Sequence, residues 1–138
     1  MTDTLVDSNV LIDVWTVGSA WAEWSISALE VAREQGDLII NPIIYAEVCV
    51  PFDSVAALES AMAPHFFKRE ALPWDAAFPA AKAFGKYRDL GGSRRAPLPD
   101  FYIGAHAEVH GYRLLTRDAR RYRSYFPSLK IVAPDTHP

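Results

Sequence analysis

A short apolar run, Thr4-Leu5-Val6, climbs to a single acid at Asp7, and the chain then breaks into Ser8-Asn9 and a helical pattern. This is how a buried parallel strand ends at the carboxyl edge of a sheet and turns directly into a helix. The unit constrains the whole chain because it recurs. Leu38-Ile39-Ile40 is a second buried run, Tyr112 to Thr116 another, and Leu129 to Val132 a last one. Residues 66–72 are ambiguous and are read as an edge strand. Helical patterns lie between these runs. They start at Val10, run from Ala20 to Gln35 with Gly36 as terminator, and from Pro42 to Val50 with Asn41 as cap. Further helices are read over Asp53 to Met62, Asp75 to Leu90 and Pro99 to Gly111, and Asp118 begins a short basic helix. The alternation predicts an α/β fold with a mainly parallel sheet. Residues 1–138 read as one domain, and Gly91 to Pro99 is the only loop-like tract of any length.

Composition narrows the class. Half of the residues are apolar, enough for a proper core and too many for a disordered chain. No apolar run approaches the roughly 20 residues of a membrane span, and the start Met-Thr-Asp-Thr has no basic leader, so a cytoplasmic protein with no membrane partner is expected. The single cysteine, Cys49, excludes an internal disulfide and a cysteine-rich zinc site, and between Val48 and Val50 it reads as a core residue. The net charge of −3 hides an asymmetry: residues 1–81 carry 12 acidic and 3 basic side chains, residues 82–130 carry 4 acidic and 11 basic. Gathered positive charge of this kind suits a polyanion even in a chain that is acidic overall.

Ligands of open α/β sheets bind outside the carboxyl ends of the strands. Asp7 ends the first strand, Glu47 lies in the helix that follows the second, and Asp118 comes just past the strand 112–116. Asp100 opens a helix, and its place at the same edge rests on the preceding loop having to cross the top of the sheet. Four converging carboxylates would repel one another and raise one another's pKa values, so such a set implies a cation. The all-oxygen donors suit Mg²⁺ or Mn²⁺, one ion or two, rather than Zn²⁺. A hard ion with open positions is the equipment for phosphodiester hydrolysis.

Four segments carry a resemblance: Val6-Asp7-Ser8-Asn9-Val10-Leu11-Ile12-Asp13, Asn41-Pro42-Ile43-Ile44-Tyr45-Ala46-Glu47, Leu98-Pro99-Asp100-Phe101-Tyr102-Ile103 and Leu114-Leu115-Thr116-Arg117-Asp118. In this order and at these separations they resemble PIN-domain ribonucleases, and among them the VapC toxins of bacterial toxin–antitoxin pairs. The resemblance spans essentially the whole chain and is weakest near Phe66. It implies a three-layer α/β/α sandwich, a Mg²⁺- or Mn²⁺-dependent endoribonuclease, a VapB-type antitoxin that inhibits it, and a homodimer. It carries the metal-binding and catalytic role to Asp7, Glu47, Asp100 and Asp118, and a supporting role to Asn9 and Thr116.

Other residues have two readings. Arg94 and Arg95 precede Asp100, and Arg117 and Arg121 flank Asp118; they read as contacts to RNA phosphates or as a charged surface. Trp15, Trp21 and Trp24 suit a groove for an antitoxin helix, although core packing accounts for at least one of them. Asp13 reads as a helix-surface acid and Asp3 as part of a fraying terminus. His106 and His110, four residues apart, have a spacing that can hold a metal, but His106 falls on a different helical face from Asp100, and proton transfer through metal-activated water would leave the histidines no catalytic work. Two competing classes remain. A catalytically silent PIN-like module that binds RNA or protein would keep the fold, and the intact acids count against it. A receiver-type phosphoacceptor would need paired acids after the first strand, where Ser8 and Asn9 stand instead.

Overall fold

The computed structural model describes residues 1–91 and 98–138. Five strands form one all-parallel sheet: β1 Thr4–Val6, β2 Leu38–Ile40, β3 Lys68–Arg69, β4 Arg113–Leu115 and β5 Ile131–Val132, in the order β3-β2-β1-β4-β5. Among the described residues there are seven α-helices: α1 Ser8–Trp15, α2 Ala22–Gln35, α3 Pro42–Cys49, α4 Val55–Met62, α5 Ala77–Asp89, α6 Leu98–His110 and α7 Arg120–Tyr125. Helix α1 packs on α2 and α3, while α5 packs on α6 and α7. Right-handed crossovers put these two groups on opposite faces of the sheet, which is the expected α/β/α sandwich.

The strand order decides where a ligand can sit. From β1 the chain steps outward to β2 and β3, then returns to β4 on the other flank and continues to β5. The winding therefore reverses between β1 and β4, and the crevice at such a reversal is where open α/β sheets bind ligands. Register places Val6 beside Leu115, and the Asp7 N–H donates to the Leu115 carbonyl at 2.9 Å. Asp7 and Thr116 are thus neighbours just past the ends of the two strands that flank the crevice.

Both faces of the sheet are covered. Leu5, Val6, Ile40, Leu114 and Leu115 are at most 1 % exposed. On the α6 side the core is aromatic: Phe101 contacts the rings of Phe84, Tyr87, Tyr125 and Phe126. Two glycines are fixed by close approach. A Cβ at Gly36 would lie 2.1 Å from the Thr2 carbonyl, and one at Gly104 2.5 Å from the Phe126 ring.

Several boundaries differ from expectation. The helix read from Asp53 starts at Val55, because the Ser54 hydroxyl caps it by accepting the Ala57 N–H at 3.1 Å. Of 66–72 only Lys68–Arg69 pairs as strand, and Phe66 adopts the left-handed conformation. A 3₁₀ turn, Trp74–Ala76, precedes α5. Helix α7 begins at Arg120, so Asp118 is not its cap. Cys49 lies half-buried at the core's margin. Asp3 is not frayed: its carboxylate accepts the Asp37 N–H at 2.9 Å and its carbonyl the Arg113 N–H at 3.1 Å, pinning the starts of β2 and β4. Among the described residues no helix is long and apolar enough to cross a membrane.

Candidate active site

Asp7 leaves β1 in an extended conformation and caps α1, its Oδ1 accepting the Ser8 N–H at 2.8 Å. Its Oδ2 accepts from the Thr116 hydroxyl at 2.9 Å, the Tyr122 hydroxyl at 3.1 Å and, more weakly, Asn9 Nδ2 at 3.4 Å. Thr116 Oγ1 uses its whole capacity: it donates to Asp7 and accepts from Asn9 Nδ2 and the Asp118 N–H, both at 3.2 Å. Asn9 is held in turn by the Arg117 N–H, which donates to its Oδ1 at 3.1 Å. This lattice crosses from β1 to β4 and fixes the carboxylate without neutralising it. Oδ2 is saturated, whereas Oδ1 keeps an acceptor site.

The carboxyl of Asp7 is pushed up to about 6, first by burial and then by the negative charge of Asp100, against the hydrogen bonds from Thr116, Tyr122 and Ser8. Burial and the charges of Asp7 and Asp100 also raise Glu47, whose Oε1 accepts the Ser8 hydroxyl at 3.1 Å. Asp100 is raised by burial and by Asp118, opposed by Arg121, whose Nη1 lies 2.6 Å from its Oδ2. Tyr122 is held far above its ordinary value by burial and by Asp7 and Asp100, so it stays a donor.

Asp7, Asn9, Asp100 and Asp118 line one cavity of about 700 Å³, with Ser8, Tyr87, Arg120, Arg121 and Tyr122 also on its wall. Glu47 does not line it; Ser8 links it to the wall. Three of the four acids, Asp7, Asp100 and Asp118, therefore border the space. Among the described residues the one group of three acid, His or Cys donor atoms mutually within 4.8 Å is elsewhere, at Glu70, His106 and His110. The donor set of the cavity fits a hard divalent ion that keeps several waters: its wall carries three carboxylates and no His or Cys, and one of the three is buried with an open oxygen and a carboxyl raised first by burial and then by the charge of Asp100. Asp7, Asp100 and Asp118 on the wall could hold it, and Glu47 only from behind Ser8.

Other expected residues fall differently. Arg117 is engaged by Asp13, Nε to Oδ2 at 2.6 Å, and Asp13 is buried rather than on the surface. Arg121 faces the cavity but is paired with Asp100. Arg94 and Arg95 lie outside the described residues. The three tryptophans have different neighbours. Trp15 packs edge-on against Phe52, Trp24 donates to the His137 carbonyl at 2.7 Å, and Trp21 is exposed beside the Arg117 guanidinium. Tyr122 and Ser8 carry no local sequence signal for the contacts they make.

The family model for the PIN domain matches residues 4–126. No curated protein matches the chain by sequence. Among solved structures it is similar to VapBC2 from Rickettsia felis bound to a promoter DNA fragment, with a TM-score of 0.73 at 13 % identity over 96 % of this chain and 98 % of that one. It is similar also to FitAcB from Neisseria gonorrhoeae, TM-score 0.72 at 18 % identity over 98 % and 99 %. A toxin–antitoxin complex from Klebsiella pneumoniae aligns with TM-score 0.70 at 25 % identity over 95 % and 97 %. The strand order, the acids around the β1–β4 crevice and the match over most of its length place this chain in the PIN domain family.

Proposed function

We propose that the protein is a VapC-type toxin, an endoribonuclease that hydrolyses RNA phosphodiester bonds with Mg²⁺ or Mn²⁺ and is silenced by a cognate VapB-type antitoxin. The observation that carries the reading is the buried Asp7 carboxylate. It faces Asp100 and Asp118 across one cavity at the reversal of the winding, and four neighbours fix it without giving it a counter-ion. A divalent ion, when bound, supplies positive charge to the phosphate and lowers the pKa of water. Asp7, Asp100 and Glu47 hold that charge in place, and Asp118 does so directly or through water. Thr116, Asn9 and Tyr122 aim the Asp7 carboxylate and keep it ionised, while Arg120 and Arg121 on the cavity wall attract the RNA backbone, a positional rather than a sequence-reading contact. Water then adds to phosphorus, one ester P–O bond breaks, and the RNA is left with a hydroxyl and a phosphate monoester at the cut.

The Arg121–Asp100 ion pair favours one second reading, a silent RNA-binding module in which the arginine replaces the metal. Purified wild type and Asp7→Ala, incubated with total RNA in Mg²⁺, Mn²⁺ or EDTA, separate the two. Cleavage by wild type only, and only with metal, supports the nuclease. No metal-dependent difference overturns it. Relief of toxicity by co-expressing the small protein encoded beside it tests the antitoxin.

A further inference from the structure

We propose that Glu70, His106 and His110 form a second metal site, suited to a late first-row divalent ion such as Zn²⁺ and separate from the acidic cavity. None of the three lines that cavity. Glu70 follows β3, and the two histidines stand one turn apart on α6 with their rings 5.1 Å apart. Glu70 Oε1 lies 2.9 Å from His106 Nε2 and 2.7 Å from His110 Nδ1, and the three donor atoms are mutually within 4.8 Å. Tetrahedral zinc with bonds of about 2.0–2.1 Å spaces its ligands about 3.3 Å apart. The two Glu70 contacts would open by about half an ångström to reach that spacing. Two imidazoles and one carboxylate are a zinc-like donor set, not a magnesium one. The His106 side chain is fully buried, while those of Glu70 and His110 are 30 % exposed, which leaves an open side for the ion to approach and for water as a fourth ligand. One supporting contact is in place: the Tyr112 hydroxyl donates to Glu70 Oε2 at 2.7 Å.

Asn41 gives the site a signature. Its Oδ1 accepts the Ile44 N–H at 2.9 Å as the cap of α3, so Nδ2 is the atom that faces His106 Nδ1 at 3.0 Å, and it donates there. The neutral His106 ring consequently carries its proton on Nε2 and donates it to Glu70. An ion on Nε2 moves that ring proton to Nδ1, where it needs an acceptor. Asn41 supplies one only by turning its amide and releasing the Ile44 N–H. The substitution Asn41→Asp supplies both acceptors at once. Metal at this site is thus coupled to the cap of α3, the helix that carries Glu47.

Calorimetric titration of the EDTA-treated, dialysed full chain with Zn²⁺ tests the site. The Asp7→Asn/Asp100→Asn variant serves to remove the acidic cavity as a competitor. One equivalent of zinc is expected in that variant, and in its background binding is weakened roughly tenfold or more by Glu70→Gln and His110→Ala and tightened by Asn41→Asp. Co²⁺ in place of Zn²⁺ should give the strong visible absorption of a tetrahedral site with nitrogen ligands. Glu70→Gln is nearly isosteric, so it remains informative should His110→Ala fail to fold. Absence of zinc from the Asp7→Asn/Asp100→Asn variant, or unchanged binding in Glu70→Gln, overturns the site. Unchanged binding in Asn41→Asp overturns His106 as a ligand. RNA cleavage plays no part in any of these readouts, so the site and the nuclease fail separately.

Discussion

Replacing Asp7 by Asn should stabilise the metal-free protein at neutral pH, although it removes the central acid of the cavity. The folded carboxyl lies at about 6 against an ordinary 3.8. An acid raised on folding is a cost: the unfolded chain gives up the proton near 3.8, while the folded chain holds it until about 6. The penalty therefore grows between those two values and is complete above them. Two pKa units correspond to about 3 kcal/mol. The substitution also loses something, because an amide has a single acceptor oxygen. If that oxygen stays toward Thr116 and Tyr122, the NH₂ faces the Ser8 N–H and the cap bond is lost, about 1 kcal/mol. The balance is about 2 kcal/mol, or roughly 5–8 °C in Tm for a chain of this size at pH near 8. At pH near 3, below both values, the carboxyl is largely neutral folded and unfolded, so the variant keeps mainly the loss and melts lower than wild type. Circular-dichroism melts in EDTA across this pH range measure the crossing. Added Mg²⁺ should raise the wild-type Tm and leave the variant unchanged, since only a state that binds the ion gains from it. A variant less stable than wild type at pH near 8, or a difference that does not change with pH, refutes the argument.

Other substitutions have distinct expected outcomes. Thr116→Val keeps the shape but strips the buried lattice of its donor to Asp7 and its acceptor for Asn9; it should cost about 1–3 kcal/mol and raise the Asp7 carboxyl further, read by melts and by titration of that group. Arg117→Ala leaves buried Asp13 without its partner. Because the arginine is a third exposed, the cost should be about 2 kcal/mol, seen in the Tm and not in the salt dependence of RNA binding. Arg121→Ala should weaken RNA binding and reduce the slope of log affinity against log salt by about 1, measured by fluorescence anisotropy.

The fold was legible because the central strands β1 and β2 are short apolar runs closed by a polar break, and the helices that follow them carry start signals: Asp7 before α1, Asn41-Pro42 before α3. The same signals put three of the four acids near strand ends. Contacts that depend on distant chain segments were not legible. Tyr122 reaches Asp7 across 115 positions and His106 reaches Glu70 across 36, and nothing near either residue announces it. Asp13 was legible and misread: it lies three residues after buried Val10, on the inward face of α1, where an acid needs a partner such as Arg117. The neighbours of the tryptophans were not legible either: Trp15 and Trp24 turn to Phe52 and to the carboxyl-terminal segment.

The central claim is that the acids around the β1–β4 crevice hold a divalent ion. Anomalous scattering from a crystal soaked in Mn²⁺ tests it without reference to any substrate. The account predicts a peak within bonding distance of Asp7 Oδ1, shared with Asp100 and with Glu47 or Asp118 directly or through water. A cavity without a peak at saturating Mn²⁺, with Arg121 still on Asp100, would contradict it.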